Sequence, residues 1–98
     1  MKIARVTGHA TGTIKDSQLA GQKWLIVDIL DAGDTVLESS VVALDVCSAG
    51  LGDKVLVATG SAARLPRETA GVPTDATVIA IIDEITLGGK AVYSAKNG

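Results

Sequence analysis

The order of apolar and polar residues along the chain predicts β-strands separated by turns. Residues 2–14 alternate, with small and apolar residues on one face and Arg5, Thr7 and His9 on the other. Alternation with a period of two is typical of a half-buried strand. Glycines on the inner face favour a bend, so we expect one long strand that serves two sides of a small barrel.

Further strands are expected, each bounded by polar or glycine-rich turns. Residues 24–30 are apolar on both faces, which indicates a strand that is buried between layers or faces a partner. The strongest strand signal is the apolar run within residues 76–86. The other predicted strands span residues 40–46, 54–59 and 91–93, and the predicted turns and loops span residues 15–21, 31–34, 49–53, 65–75 and 88–89.

The segment Gly60–Arg64 is expected to lead from a strand into a short helical turn, with Ser61 as its N-cap. A glycine, a hydroxyl and an arginine could also bind an anion, but the Gly-Lys-Ser/Thr ending of a P-loop is missing. We therefore favour a structural or interface role for this segment, in which Arg64 pairs with a carboxylate.

Together these elements predict an all-β fold with five or so strands and almost no helix, arranged as a small closed barrel or sandwich. A chain of 98 residues leaves no room for a second core. We assign residues 1–93 to one domain. The polar residues 94–98 are expected to form a flexible tail.

The composition adds a reason to expect self-association. Apolar residues make up 47% of the chain, yet Phe is absent and Trp and Tyr occur once each. A core of Val, Ile, Leu and Ala buries less area per residue than an aromatic core. A chain this short and this apolar has apolar surface left over, and contact between identical copies is the simplest way to cover it.

Charge and targeting signals narrow the function further. Nine basic and eleven acidic residues give a net charge of −2, which argues against a nucleic-acid partner. The N-terminus lacks a signal-peptide pattern, and no apolar run approaches the roughly 18 residues of a membrane span. We therefore expect a soluble cytoplasmic protein with no membrane segment.

The candidate chemical groups are few and scattered. His9 is the only histidine and has no second ligand near it in the sequence. Cys47 is the only cysteine and follows an apolar strand, where thiols are usually inert. Neighbouring residues of a strand point to opposite faces, so Asp83 and Glu84 do not converge on one substrate. We expect no catalytic site, no cofactor and no metal.

Five short segments, in this order and spacing, resemble the pentameric vertex proteins of bacterial microcompartments, the family that includes the carboxysome and ethanolamine-utilisation vertex proteins. The most specific segment is Gly60–Arg64, which reads Gly-Ser-Ala-Ala-Arg against a family Gly-Ser-Ser-Ala-Arg. Ala62 is a departure and lacks the hydroxyl of the family's second serine. The other matching segments are residues 1–8, 19–23, 42–53 and 81–89.

The resemblance implies a five-stranded, OB-like β-barrel with a short helical turn that assembles as a homopentamer. Such a ring would be a non-catalytic subunit that caps the vertices of a polyhedral shell beside hexameric shell proteins. The residues that it places at or near the contact between subunits are Gly60, Ser61, Ala63 and Arg64, with Asp83 and Glu84 as candidates for charged contacts there. The resemblance does not indicate which pathway the compartment encloses.

The alternative is an OB-like module that binds single-stranded nucleic acid or a small ligand. Such modules stack bases on aromatic side chains in a positively charged groove. Trp24 and Tyr93 are the only aromatic residues, and the net charge is negative. Trp24 stands where the family usually has a smaller apolar residue, so it either fills the core or marks a contact surface. A small enzyme that uses His9 or Cys47 is a further, weaker alternative.

Overall fold

A computed structural model describes residues 1–13, 21–72 and 74–95 of the chain. Two short 3₁₀ turns, Gly60–Arg64 and Arg67–Thr69, are the helical segments within these ranges. The strands are β1 (Lys2–Ala10), β2 (Lys23–Leu30), β3 (Val36–Asp45), β4 (Lys54–Thr59), β5 (Ala76–Ile81), β6 (Glu84–Leu87) and β7 (Lys90–Ser94).

Five of the strands form a closed barrel in the order β1-β2-β3-β5-β4. The barrel closes because β1 pairs antiparallel with β2 on one side and with β4 on the other. The parallel pairing of β3 with β5 is short and includes Leu44 opposite Thr77. The predicted all-β, five-stranded barrel is therefore confirmed.

The barrel interior is filled by small aliphatic side chains, as the composition predicted. Buried positions alternate along β1 and most of β2, whereas β3, β4 and β5 each have consecutive buried residues. Each buried Val contributes roughly 1.5–3 kcal/mol relative to an exposed one. The largest fully buried apolar side chains are Val6, Val27, Val55, Val57 and Val78. Trp24 lies at the margin of this core, half-buried, and its ring packs against the backbone of Gly12, where an added Cβ would come within 3.2 Å of Cζ3.

Two strand boundaries differ from the predicted ones. β1 ends at Ala10 rather than at residue 14, which lies outside the described residues. β3 begins at Val36 rather than at residue 40. A bulge at Ser40 shifts the register, so the residues before it do not continue the alternation of the residues after it. Ser40 has a φ of 58°, and its backbone N–H donates to the Asp28 carboxylate at 3.0 Å.

The strand predicted over residues 76–86 is two strands, β5 and β6, separated by Ile82 and Asp83. The N–H of Ile82 donates to the carbonyl of Lys54 at 2.8 Å, and beyond that bond the chain leaves the barrel and forms the separate β6–β7 hairpin. The turn at residues 88–89 is confirmed. Ser94 belongs to β7, so the predicted tail does not begin there, and residues 96–98 lie outside the described part.

A buried cation joins the barrel to this hairpin. The Lys54 side chain is 2% exposed, and its ammonium group forms an ion pair with Asp34 in the β2–β3 turn. The same ammonium lies 4.4 Å from the ring centroid of Tyr93 in β7, within the range of a cation–π contact. Arg5 also contacts the Asp34 carboxylate, at 3.4 Å. We call Arg5, Asp34, Lys54 and Tyr93 the ionic cluster.

The ionic cluster lowers the pKa of Asp34. The hydrogen bond from Lys54 is the largest cause, partial burial opposes it, and the charges of Lys54 and Arg5 lower the pKa further. A carboxylate whose pKa is lower in the folded than in the unfolded chain stabilises the fold above about pH 4. That contribution is lost as the pH falls through the folded-state pKa.

Replacing Asp34 by Asn should therefore destabilise the fold at neutral pH. Asn tolerates the positive φ of 75° at this position, so the change removes mainly the charge opposite the buried Lys54. We expect the free energy of unfolding in urea to fall by about 1–3 kcal/mol. The exposed carboxylate of β3 provides a matched control, Glu38→Gln, which should change stability little.

The difference between wild type and Asp34→Asn should shrink as the pH is lowered below about 4, because Asp34 then becomes neutral in the wild type too. Urea titrations at about pH 7 and about pH 2 measure this. An equal difference at both pH values would show that charge is not what Asp34 contributes.

Candidate functional site: the two ends of the β4–β5 pair

The Gly60–Arg64 turn leaves the barrel at one end of β4. Gly60 has a φ of 63°, which favours glycine, and its N–H donates to the carbonyl of Asp75 at 2.9 Å. The turn closes through a bond from Leu65 N–H to the Ala62 carbonyl at 3.2 Å. The prediction that Ser61 caps this turn was wrong: Thr59 occupies the cap position, no side chain caps the turn, and Ser61 is exposed.

Ala63 anchors the turn to the barrel. Its side chain is fully buried inside its own chain, so it does not present a surface to another subunit. Its carbonyl oxygen accepts hydrogen bonds from the hydroxyl of Thr69 at 2.8 Å and from that of Thr77 at 2.6 Å. Both threonines are themselves fully buried. These two bonds fix the position of the turn relative to β5.

The rest of the turn is exposed to solvent. Arg64 donates from Nη1 to the carbonyl of Thr74 at 3.0 Å. The expected partner of Arg64 was a carboxylate, and within the described ranges none forms an ion pair with it. Leu65 follows directly and is 80% exposed. We call residues 60–65 the anchored turn.

Asp83 and Glu84 lie at the other end of the same strand pair. Thr59 is opposite Ala76 in the β4–β5 ladder, whereas Val55 is opposite Ile81. The anchored turn follows Thr59 and the acidic pair follows Ile81, so a strand length of roughly 17 Å separates them. Both carboxylate residues are exposed. Within one chain the six predicted interface residues therefore form two separate groups.

The candidate catalytic residues do not assemble into a site. His9 is exposed and lies beside an open groove of about 460 Å³ whose lining includes Gln22, Lys23 and Trp24 but no carboxylate among the described residues. The Cys47 thiol is half-buried, 3.5 Å from the carbonyl of Val78, and burial raises its pKa, with the charge of Asp45 adding to the effect. A raised pKa keeps the thiol protonated and unreactive at neutral pH.

Across the described ranges, His, Cys, Asp and Glu side chains form no group that could hold a metal ion. In the same residues no helix is long and apolar enough to cross a membrane. Lys54 covers one face of the Tyr93 ring, and the half-buried Trp24 contacts Gly12 and lines the groove without a second aromatic ring among the described residues. Stacking of bases needs free aromatic faces, so these contacts do not favour a single-strand binding module.

Comparison with known proteins assigns the chain to a family. Residues 1–83 match the family model described as ethanolamine utilisation protein EutN/carboxysome. The chain belongs to this family. The carboxysome shell vertex protein CcmL of Synechococcus elongatus is 40% identical over 96 residues, which cover 98% of this chain and 97% of that protein. The resemblance seen in the sequence is thereby confirmed.

Solved structures of family members share the same architecture. The structure of Gloeobacter violaceus CcmL superposes with a TM-score of 0.91 at 36% identity, covering 98% of this chain and 99% of that one. A structure described as the GrpN pentameric microcompartment shell protein of Rhodospirillum rubrum has a TM-score of 0.78 at 32% identity, covering 89% of this chain and 98% of that one.

Some features of the site were missed in the sequence. Leu65 had a detectable signal, because it is a large apolar residue in a segment otherwise predicted to be a polar loop. Thr69 and Thr77 had none, because a threonine whose hydroxyl is buried cannot be distinguished from an exposed one by its place in the pattern. The pairing of β4 with β5 places the two groups of predicted interface residues at opposite ends of the strand pair. Such long-range pairing cannot be recognised from a local pattern.

The two threonine hydroxyls should stabilise the anchored turn jointly. In Thr77→Val, the Ala63 carbonyl keeps its bond from Thr69, so we expect a loss of about 1 kcal/mol in the free energy of unfolding. Adding Thr69→Val leaves that buried carbonyl without either hydroxyl and should cost about 1–3 kcal/mol more. Urea denaturation of both variants measures this, with Thr86→Val in the exposed hairpin as the control. A second substitution without further effect would contradict the anchoring role.

Proposed function

We propose that the chain is a non-catalytic shell subunit that forms a homopentamer and caps the vertices of a bacterial microcompartment. The observation that carries this proposal is near-full-length similarity to a named shell vertex protein together with structural similarity to a named pentameric shell protein. The location that follows is the shell of a compartment within the bacterial cytoplasm. The family description joins ethanolamine utilisation and carboxysomes, so it leaves the enclosed pathway open.

The two groups of predicted interface residues suit a head-to-tail ring. A ring of identical subunits is closed by heterologous contacts, in which one surface patch meets a different patch of the next copy. The anchored turn carries Arg64, and the opposite end of the β4–β5 pair carries Asp83 and Glu84. Opposite charges at opposite ends of one chain can meet when the copies follow one another around a ring.

In this arrangement each of the six residues has a role that its position supports. Gly60 and Ala63 hold the turn in place, through its left-handed backbone and its buried carbonyl. Ser61 and Arg64 present polar groups on its exposed side. The acidic pair on the next copy supplies the complementary charge. Ala62 has no hydroxyl, so this contact lacks a bond that the family's second serine could make.

Hexameric shell proteins are the second expected partner, because a ring at a vertex must be surrounded by the tiles of the adjoining faces.

The proposal also states that the chain is non-catalytic. A non-catalytic role is supported by the groove beside His9, whose described lining residues include no carboxylate, and by the raised pKa of Cys47. His9→Ala and Cys47→Ala should therefore leave ring formation and co-assembly with shell tiles unchanged.

The native mass should be that of five chains. One chain has a mass of 9.9 kDa, so a pentamer has a mass of 5 × 9.9 = 49.5 kDa. We expect this species in native mass spectrometry and in light scattering on a sizing column, over a range of concentrations. A mass that stays at one chain would contradict the proposed function.

Reversal of charge at the anchored turn should weaken the ring. Arg64→Glu would place a carboxylate opposite Asp83 and Glu84 of the neighbour. Loss of an exposed ion pair costs under about 1 kcal/mol, whereas breaking a buried pair costs about 3–5 kcal/mol. The size of the loss in ring stability therefore indicates whether the contact excludes water. The measurement is the concentration at which half of the rings dissociate.

Restoration by a compensating change separates a charged contact from a folding defect. Combining Arg64→Glu with Asp83→Lys and Glu84→Lys should recover much of the ring stability, because the charges again oppose each other. Lys2→Glu reverses an exposed charge of β1 outside both groups and should have little effect. Equal ring stability in Arg64→Glu and wild type would remove Arg64 from the interface.

A further inference from the structure

The β6–β7 hairpin exposes apolar side chains that no other part of the described chain covers. It forms a two-stranded sheet of its own, outside the barrel, in a molecule that measures 45 × 23 × 22 Å. An isolated two-stranded hairpin is marginally stable in water unless it packs against another element. Its apolar side chains remain exposed, with Leu87 at 53% and Val92 at 43%.

The base of the hairpin is nevertheless fixed to the barrel. The Lys54 ammonium lies under the Tyr93 ring at 4.4 Å, and the N–H of Ala95 donates to the Asp83 carbonyl at 2.9 Å. Ile85 is opposite Tyr93 in the hairpin, and both are half-buried. The contacts thus hold the root of the hairpin and leave its outer half without a cover from its own chain.

A complementary surface exists at the other end of β4. Leu65 is 80% exposed on a turn whose position is fixed by the two buried threonine bonds to Ala63. Arg64 on this turn and Arg67 just after it are exposed cations, and Glu68 and Asp75 at the same end are exposed carboxylates. The root of the hairpin carries the exposed acidic pair. The complementary charges are therefore Arg64 on the turn and the acidic pair at the root of the hairpin, and each surface also carries exposed apolar side chains.

We propose that the β6–β7 hairpin is an intersubunit arm that seats on the anchored turn of the next copy, with Leu65 of that copy covered by the outer half of the hairpin. The occupant is a second copy of this chain, because both complementary surfaces lie on the same chain but at opposite ends of the β4–β5 pair. This inference rests on the proposed pentamer and names the contact that would close it.

The arm explains why a hairpin with exposed apolar residues follows directly on the acidic pair. Once charge complementarity brings Asp83 near the neighbour's turn, the next four residues of β6 pass over that turn. Burial of Leu65, Leu87 and Val92 in one contact would remove apolar surface from both copies. The barrel positions the root of the arm, and only the neighbour covers its outer half.

Cysteine cross-linking tests the contact directly. In a Cys47→Ser background, the pairs Leu65→Cys with Val92→Cys and Leu65→Cys with Leu87→Cys each place both cysteines in every chain. A disulfide forms when two Cα atoms come within about 4.4–6.8 Å. Under mild oxidation we expect at least one pair to give covalent dimers and larger species up to five chains on a non-reducing denaturing gel.

The control pair is Leu51→Cys with Val92→Cys. Leu51 is 78% exposed, almost as much as Leu65, but it precedes β4 and so lies at the opposite end of that strand. This pair should give no ladder. A ladder from the control pair as strong as that from the Leu65 pairs would overturn the proposed contact, because it would show collision between exposed thiols.

Polar substitution provides a readout independent of cross-linking. Leu65→Asp and Val92→Asp should each raise the concentration at half-dissociation of the ring by about tenfold or more, as expected for loss of a buried apolar contact, whereas Leu51→Asp should not. A ring of 49.5 kDa with no ladder and no response to Val92→Asp overturns the arm and leaves the pentamer standing. A persistent single chain overturns the pentamer itself.

Discussion

The buried ammonium group of Lys54 is the interaction on which the arrangement of this molecule depends. A cation that is almost fully enclosed must be neutralised, and Asp34 does so from the β2–β3 turn. The Tyr93 ring covers the same ammonium from the hairpin, 4.4 Å away. One charge thus connects the start of β4, a turn on the far side of β1 and the last strand, which lies outside the barrel.

The barrel has a small core. Its core consists of alanine, valine, leucine and isoleucine, so it is thin and closes with five strands. Such a core leaves much of the chain's apolar surface uncovered, including Leu65 at one end of β4 and Val92 in the hairpin. The proposed self-association would cover this surplus, in agreement with relatives that are named shell vertex proteins.

The ends of the β4–β5 pair differ in a way that suits directional assembly. One end has a turn fixed by two threonine hydroxyls on the carbonyl of Ala63, and it exposes an arginine and a leucine. The other end has an acidic pair and a projecting hairpin. A chain with two unlike, complementary ends favours a closed ring over a two-fold dimer, in which each patch would have to meet itself.

The sequence by itself determined the all-β class, the order of the barrel strands along the chain, the turn at Gly60 and the family. These depend on local patterns: alternation, glycines at turns and short motifs. The features that depend on long-range contacts were decided by the tertiary structure alone. The apolar run ends at the acidic pair Asp83 and Glu84, but only the bond from Ile82 to Lys54 shows that the chain leaves the barrel there. The buried state of Lys54 depends on Asp34, twenty residues earlier in the chain. The separation of Arg64 from the acidic pair arises from strand pairing, which no local pattern encodes.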